Sequence, residues 1–194
     1  MLPADTACVI VEPVQGRAGA QVPRDGFLER LRERCDEIGA LLIADEIYTG
    51  LGRTGALWRS GDLADLVTCG KALGGGLPIS ACLMSAEHRS AWELGPEDVY
   101  THTHMGNPLA AAAALVVLDR VPALLDRVTA AGERFEATGW HGAGLLRAKE
   151  GDAFAAWDRG VIVIPAGEDG RYMSATPPLT ITDEEIDEAL ERIE

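Results

Sequence analysis

Lysine is rare in this chain, and one of its two lysines stands where an amine could do chemistry. The lysines are Lys71 and Lys149, so arginine carries most of the positive charge. Lys71 lies in the segment Gly70–Gly76, whose glycines free the backbone and leave room for a planar ligand to approach. Arginine cannot replace lysine where a neutral amine must act as a nucleophile. The pattern favours an amine nucleophile at Lys71, and a surface lysine in a flexible turn is the alternative.

The same glycine-rich segment superficially resembles a phosphate-binding P-loop. In that motif a glycine would occupy the position of Asp65, and a serine or threonine would follow the lysine. Here Asp65 is an acid and Ala72 follows Lys71. We therefore reject nucleoside triphosphate binding by this segment.

Two adjacent acids, Asp45 and Glu46, follow the apolar run at 40–44. Side chains of successive strand residues point to opposite faces, so these carboxylates should diverge and not form an acid–base pair. One carboxylate at the end of a buried strand can direct a single negative charge into a cleft. The alternative interpretation is that the acid only caps the following turn.

The segment Thr101–Pro108 offers hydroxyl groups, histidines and a Gly-Asn-Pro turn. Thr101 and Thr103 could present donors to an anion. His102 and His104 could be taken for metal ligands, but a protein zinc site needs further ligands and none stands nearby in the sequence. We expect no metal here.

Secondary structure elements must position these residues, and the apolar runs of the chain predict which elements form. Short apolar runs at 7–12, 40–45, 64–70 and 79–85 predict strands, and a helical pattern separates the first two. Asp25 is the predicted N-cap of that helix, and Gly39 its end. The alternation indicates an α/β fold with a mainly parallel sheet, and ligands of such sheets bind beyond the strand carboxyl ends. Asp45 and Lys71 both follow such ends.

The sequence pattern changes after the alanine-rich helical run that begins near Pro108. Pro122 should kink or break that run. Short strand-like pieces separated by glycine, aspartate and proline follow from about residue 139, and a closing helix has Thr182 and Glu185 as a capping box. We predict a large domain over residues 1–120 and a small, abbreviated α+β domain over 121–194.

Composition excludes some partners. The formal net charge of −14 argues against a nucleic-acid or anionic-membrane surface, since both need clustered lysine and arginine. We expect no membrane span and no signal peptide, because no apolar run approaches the length of a span and no basic region precedes the first apolar residues. The four cysteines show no CxxC spacing and are predicted to be reduced structural thiols. We expect a cytoplasmic protein.

Five segments together resemble class III aminotransferases of the ornithine, acetylornithine and GABA type. The segments are Glu12-Pro-Val-Gln-Gly16, Asp45-Glu-Ile-Tyr-Thr-Gly-Leu-Gly-Arg-Thr-Gly55, Gly70-Lys-Ala-Leu-Gly-Gly-Gly76, Thr103-His-Met-Gly-Asn-Pro108 and Thr176-Pro-Pro-Leu-Thr-Ile-Thr182. The resemblance covers nearly the whole chain. It implies the fold of type I pyridoxal phosphate (PLP) enzymes, as part of the large domain plus the small domain.

The resemblance also implies roles for single residues. Lys71 would hold PLP as a Schiff base and move the substrate proton. Asp45 would pair with the pyridine nitrogen of PLP, which makes the ring an electron sink. Ile47 would lie against one ring face, and Thr103 would bind the cofactor phosphate of a partner subunit, which implies a homodimer. The resemblance also implies that Glu12 and Gln15 belong to a loop that lines the site.

Two residues depart from the family pattern. Arg17 stands where many members have a glutamate, and Ser174 stands where many have an arginine that binds the substrate carboxylate. Arg17 is therefore a candidate replacement for binding the substrate anion. The alternative is that it faces solvent or pairs with a nearby acid.

The resemblance implies amino transfer between an amine or amino acid and a 2-oxo acid. Two other functions stay open at this point: an aminomutase or racemase with the same cofactor, or a truncated, non-catalytic chain that keeps only a dimerisation surface. Family members are much longer at the N-terminus, where their phosphate-binding cup lies, so we expect this chain alone to bind PLP poorly.

Overall fold

The computed structural model describes residues 2–90 and 103–194. The chain forms two compact units that each combine separate segments. The first unit comprises residues up to Val11, Asp25–Tyr48 and Ser60–Arg120. The second comprises Glu12–Arg24, Thr49–Arg59 and Val121–Glu194.

A four-stranded sheet organises the first unit. Its strands are β1 (Cys8–Val11), β2 (Leu41–Asp45), β3 (Leu66–Cys69) and β4 (Ala81–Met84), and they lie side by side in that order. The first three strands are parallel, and β4 runs antiparallel to β3. Among the described residues of this unit, the helices are α1 (Phe27–Ile38), α2 (Ala86–Ser90) and α3 (Pro108–Arg120). The predicted α/β class with a mainly parallel sheet is confirmed.

The helix α1 shows where local sequence decides a boundary. Gly39 ends it in the left-handed conformation, with φ of 70°, as predicted. At the other end the residue before the helix is Gly26, with φ of 71° and no side-chain cap. The predicted N-cap, Asp25, is wrong because the left-handed turn at Gly26 starts the helix one residue later. Cys35 of α1 packs with Ala40 and Leu42 in the core of this unit.

The second unit is an α+β unit, as predicted. Its antiparallel sheet has the order β5-β6-β8-β7, with β5 (His141–Ala143), β6 (Leu146–Glu150), β7 (Ile164–Ala166) and β8 (Tyr172–Ala175). Its helices are α4 (Leu125–Ala137), α5 (Ala153–Asp158) and α6 (Asp183–Ile193). The core is rich in large apolar side chains, including Phe135, Trp140, Leu145, Met173 and Ile186.

Capping confirms one boundary and reveals another in this second unit. The side chain of Thr182 accepts from the Glu185 amide and the Glu185 side chain accepts from the Thr182 amide, so the predicted capping box is present. The short helix α5 was not predicted. Its N-cap is Asp152, whose carboxylate accepts from the backbone amides of Phe154 and Ala155.

The helical run from Pro108 to Ala137 is interrupted near Pro122, as expected from the missing amide of proline. A 3₁₀ turn, Val121–Leu124, separates α3 from α4. Contrary to the sequence expectation, this run has the length and apolar character of a membrane-crossing helix. Length and composition alone are weak support for a membrane span, because core helices of soluble proteins share them.

Candidate functional site

The pairing of β2 with β3 brings two candidate segments to one edge of the sheet. The strands are parallel, with Ile43 opposite Leu66 and Asp45 opposite Thr68. Both strands therefore end at the same edge, where the carboxyl ends of parallel strands collect ligands. Asp45 is the last residue of β2, and Lys71 begins the turn that follows β3.

The two adjacent acids at the end of β2 have separate partners. One carboxylate oxygen of Asp45 accepts from the Ile47 amide at 3.1 Å and from the Thr68 hydroxyl at 3.4 Å. Glu46 is buried and accepts from the amide of Ser60 at 2.7 Å and from its hydroxyl at 2.9 Å. The predicted divergence of the two side chains is confirmed. Glu46 anchors the loop, a role that sequence inspection missed.

Lys71 has an unusual backbone. Its φ is +38°, in the left-handed region that residues with a Cβ rarely adopt. A 3₁₀ turn, Lys71–Gly74, holds this conformation, and the Leu73 amide donates to the Gly70 carbonyl at 2.9 Å. Strained backbone of this kind costs about 1–3 kcal/mol and concentrates at functional sites. The lysine side chain is exposed at the sheet edge, and its Nζ lies 4.4 Å from the centre of the Tyr48 ring.

An apolar side chain stands next to this turn. Ile47 is 36% exposed. A Cβ placed on Gly70 would lie 3.9 Å from Ile47 Cγ1 and 3.6 Å from Ser80 Cβ, so Ile47 flanks the residue just before Lys71. An amine, a carboxylate and an exposed apolar side chain thus follow the ends of two neighbouring strands.

Thr103 is exposed in the turn before α3. The side chain of Asn107 caps that helix by accepting from the amides of Leu109 at 3.0 Å and Ala110 at 3.3 Å. Thr101 and His102 lie outside the described residues. Over residues 2–90 and 103–194, no group of three or more histidine, cysteine or acidic side chains could hold a metal ion.

The loop with Glu12, Gln15 and Arg17 belongs to the second unit. Glu12 accepts from the Gly16 amide at 3.2 Å, and Gln15 exchanges two backbone hydrogen bonds with Gln21. The Arg17 carbonyl accepts from the Gly167 amide at 2.9 Å. Gln15 and Arg17 are exposed, and among the described residues the Arg17 guanidinium has no ion-pair partner.

Ser174 lies in β8 of the same unit, between Ala148 of β6 and Ile164 of β7. It is 1% exposed, and its hydroxyl has no hydrogen-bond partner among the described residues. It also contributes to the lining of a cleft of about 870 Å³, together with Val163, Pro177 and residues of α6.

The sequence matches the family model of class III aminotransferases over residues 2–138. That is well over half of the chain, and the chain therefore belongs to the class III aminotransferase family. Acetylornithine aminotransferase of Pseudomonas putida is 38% identical over 217 positions, which cover 97% of this chain and 52% of that protein. Acetylornithine aminotransferase of Corynebacterium efficiens is 40% identical over 205 positions, with 97% of this chain and 50% of that protein covered.

The solved structures give the same family. Ornithine aminotransferase of Toxoplasma gondii superposes with a TM-score of 0.88 at 35% identity, and the match covers 98% of this chain and 51% of that one. An amine transaminase from an uncultivated Pseudomonas species, solved with PLP bound, matches with a TM-score of 0.85 at 30% identity. The fold is thus that of part of a type I PLP enzyme.

The chain spans about half the length of the curated relatives it matches. The Pseudomonas putida alignment has 217 positions, more than the 194 residues of the chain, so that relative also carries segments with no counterpart within the aligned span.

Proposed function

We propose that this protein takes part in PLP-dependent transamination between an amine or amino acid and a 2-oxo acid, with Lys71 as the residue that bonds the cofactor. The observation that carries the proposal is the position of Lys71. It stands in a strained turn after β3, at the edge where Asp45 ends the neighbouring strand β2.

The side chains at this edge suit PLP by their chemistry. Lys71 supplies a primary amine, which an aldehyde such as that of PLP needs in order to form a Schiff base. Asp45 supplies a carboxylate already oriented by the Ile47 amide and the Thr68 hydroxyl, and it would hold a proton on the pyridine nitrogen. Ile47 supplies an exposed apolar surface for a ring face. Bound PLP provides an electron sink for the negative charge that forms on the substrate carbon.

The remaining roles in the proposal follow family membership. Thr103 would bind the cofactor phosphate of a partner subunit in a homodimer. Glu12 and Gln15 would line the substrate side, with Arg17 as a candidate anion-binding residue. The acetylornithine and ornithine aminotransferases among the relatives suggest an amino donor that also carries a carboxylate. The proposal also includes a large domain over residues 1–120, a small domain over 121–194 and a cytoplasmic location.

The relatives support one of the functions that the sequence left open. The proteins reported above are all aminotransferases or transaminases. That favours transamination over an aminomutase or racemase, and over a non-catalytic chain.

Covalent labelling tests the assignment of Lys71. The protein is incubated with PLP, reduced with borohydride and mapped by peptide mass spectrometry. We expect the pyridoxyl group on Lys71, loss of label in Lys71→Arg, and unchanged label in Lys149→Arg. Lys149 is a suitable control because its Nζ donates to the Thr138 carbonyl at 2.9 Å, within the second unit. Label on Lys149 in the unaltered protein, or no preference between the two lysines, would overturn the assignment.

A further inference from the structure

We propose that Tyr48 is a positioning residue for Lys71, and that its ring face holds the Lys71 ammonium group whenever this amine is not bonded to another molecule. This inference rests on the proposed function, since it gives the free state of the same lysine a defined place.

The two residues approach each other because their strands are neighbours. Tyr48 stands three residues after the end of β2, and Lys71 stands two residues after the end of β3. The parallel register of these strands puts both turns at one edge of the sheet. Nζ of Lys71 lies 4.4 Å from the centre of the Tyr48 ring, well within the range of about 6 Å for cation–π attraction.

The turn that carries Tyr48 is fixed on its β2 side. The Asp45 carboxylate accepts from the Ile47 amide, which orders the backbone directly before Tyr48. The buried Glu46 carboxylate holds Ser60 through two hydrogen bonds. Tyr48 itself is half-buried, so its ring has few alternative positions.

The turn that carries Lys71 is equally defined. Its 3₁₀ hydrogen bonds fix the backbone, and a Cβ on Gly75 would lie 3.3 Å from Val117 of α3, which shows how closely this turn approaches the helix. The exposed side chain of Lys71 has no ion-pair partner among the described residues. Within the described part of the chain, the Tyr48 ring face is therefore the contact that restricts this long side chain.

The strength of the cation–π contact determines how large a change in the Lys71 rotamer populations an experiment must detect. A cation–π contact at an exposed site favours the contacting rotamers by about two- to fivefold. The contact would thus raise the share of time that the amine spends over the ring, at the edge that carries Asp45. A covalent partner arriving at this edge would meet the amine there more often than it would without the ring.

Methyl labelling with NMR detection tests the contact without any cofactor. Reductive methylation with ¹³C-formaldehyde labels both lysines and keeps their positive charge. We expect the Lys71 methyl resonance to be shifted upfield by the ring current and to show NOEs to the Tyr48 ring protons. The Lys149 resonance is the internal reference, because among the described residues Lys149 makes no cation–π contact.

Two substitutions separate the ring from the hydroxyl. Tyr48→Phe should keep the upfield shift and Tyr48→Leu should abolish it, with Lys149 unchanged in both. An unshifted Lys71 resonance without NOEs in the unaltered protein would overturn the inference, whatever the variants do. The borohydride experiment gives a separate result. A labelled Lys71 without the ring shift would overturn this inference and leave the proposed function standing, whereas label on Lys149 in place of Lys71 would overturn the proposed function.

Discussion

Asp65 Oδ2 accepts two hydrogen bonds of 2.7 Å, one from Arg32 Nη1 and one from the Leu42 amide. This single oxygen therefore connects α1, β2 and the residue that leads into β3. Burial by itself raises the pKa of Asp65, but the hydrogen bonds from Arg32 and Leu42 and the arginine charge outweigh it and hold the pKa below its ordinary value. In the sequence Asp65 only argues against a P-loop, and its structural role becomes visible in the fold.

The first prediction concerns acid stability. Asp65→Asn should lower the free energy of unfolding near neutral pH by about 2 kcal/mol, because it removes a charged partner from Arg32. The folded-state pKa is depressed, so the stabilisation by the carboxylate is present above the ordinary aspartate pKa. It is lost as the pH falls through the folded-state pKa. The difference between wild type and variant in urea unfolding should therefore shrink on acidification.

An exposed ion pair on the same helix provides the control. Arg34 and Glu37 form a salt bridge of 2.9 Å in which the glutamate side chain is 65% exposed. Glu37→Gln should change stability by less than about 1 kcal/mol. A constant difference between wild type and Asp65→Asn at all pH values would show that the carboxylate charge is not the cause.

The second prediction separates catalysis from folding at Asp45. Asparagine keeps an oxygen that can accept from the Ile47 amide, so Asp45→Asn should leave the unfolding midpoint nearly unchanged. In an active preparation it should lower turnover about a hundredfold or more, because the neutral amide cannot hold the positive charge on the pyridine nitrogen. The exposed Asp62→Asn is the control and should be near wild type. Near-normal turnover of Asp45→Asn would remove Asp45 from the mechanism.

Much of the fold was predictable because its signals are local. The apolar runs that predicted β1 to β4 all form strands. As expected, Gly39 ends α1, and the capping box of Thr182 and Glu185 begins α6. The helix α5 was missed because it is only six residues long and depends on the single cap Asp152. The antiparallel direction of β4 could not be predicted either, since the sequence of a strand does not specify whether it runs parallel or antiparallel to its neighbour.

The site was predictable only as a set of residue types. The divergence of Asp45 and Glu46 follows from strand geometry and was correctly expected. The positive φ of Lys71 and its contact with Tyr48 depend on how two loops meet in space. The spacing of residues along the chain does not specify how these loops contact each other. Neither the positive φ of Lys71 nor its contact with Tyr48 could therefore have been inferred from the sequence.

The third prediction uses two buried serines with opposite surroundings. Ser174 is 1% exposed and its hydroxyl has no partner among the described residues, so Ser174→Ala removes an unsatisfied polar group and should stabilise the protein by about 1 kcal/mol. The Ser60 hydroxyl donates to Glu46 at 2.9 Å, so Ser60→Ala should destabilise it by about 1.5 kcal/mol. Thermal unfolding of both variants measures the contrast. Destabilisation by Ser174→Ala would mean that its hydroxyl makes a hydrogen bond after all.

The last prediction concerns how the substrate anion is bound. The backbone around Arg17 is fixed in the second unit: the Arg17 carbonyl accepts from Gly167, and the Gly19 carbonyl lies 2.7 Å from His141 Nε2. The guanidinium itself is exposed and unpaired among the described residues. A fixed loop with an unpaired guanidinium is suited to bind a carboxylate through two parallel hydrogen bonds. The buried hydroxyl of Ser174 has no charge with which to do the same.

Kinetics on paired substrates tests this in an active preparation. Arg17→Ala should raise KM for amino donors that carry a carboxylate by about tenfold or more, the loss expected for a charged hydrogen bond, and should leave donors without a carboxylate unchanged. Arg17→Lys should recover only part of the loss, because an ammonium cannot make the paired contact. Arg24→Ala removes another exposed arginine of the same unit and should have no selective effect. An equal change for both substrate classes would show that Arg17 supports the loop and does not bind the substrate anion.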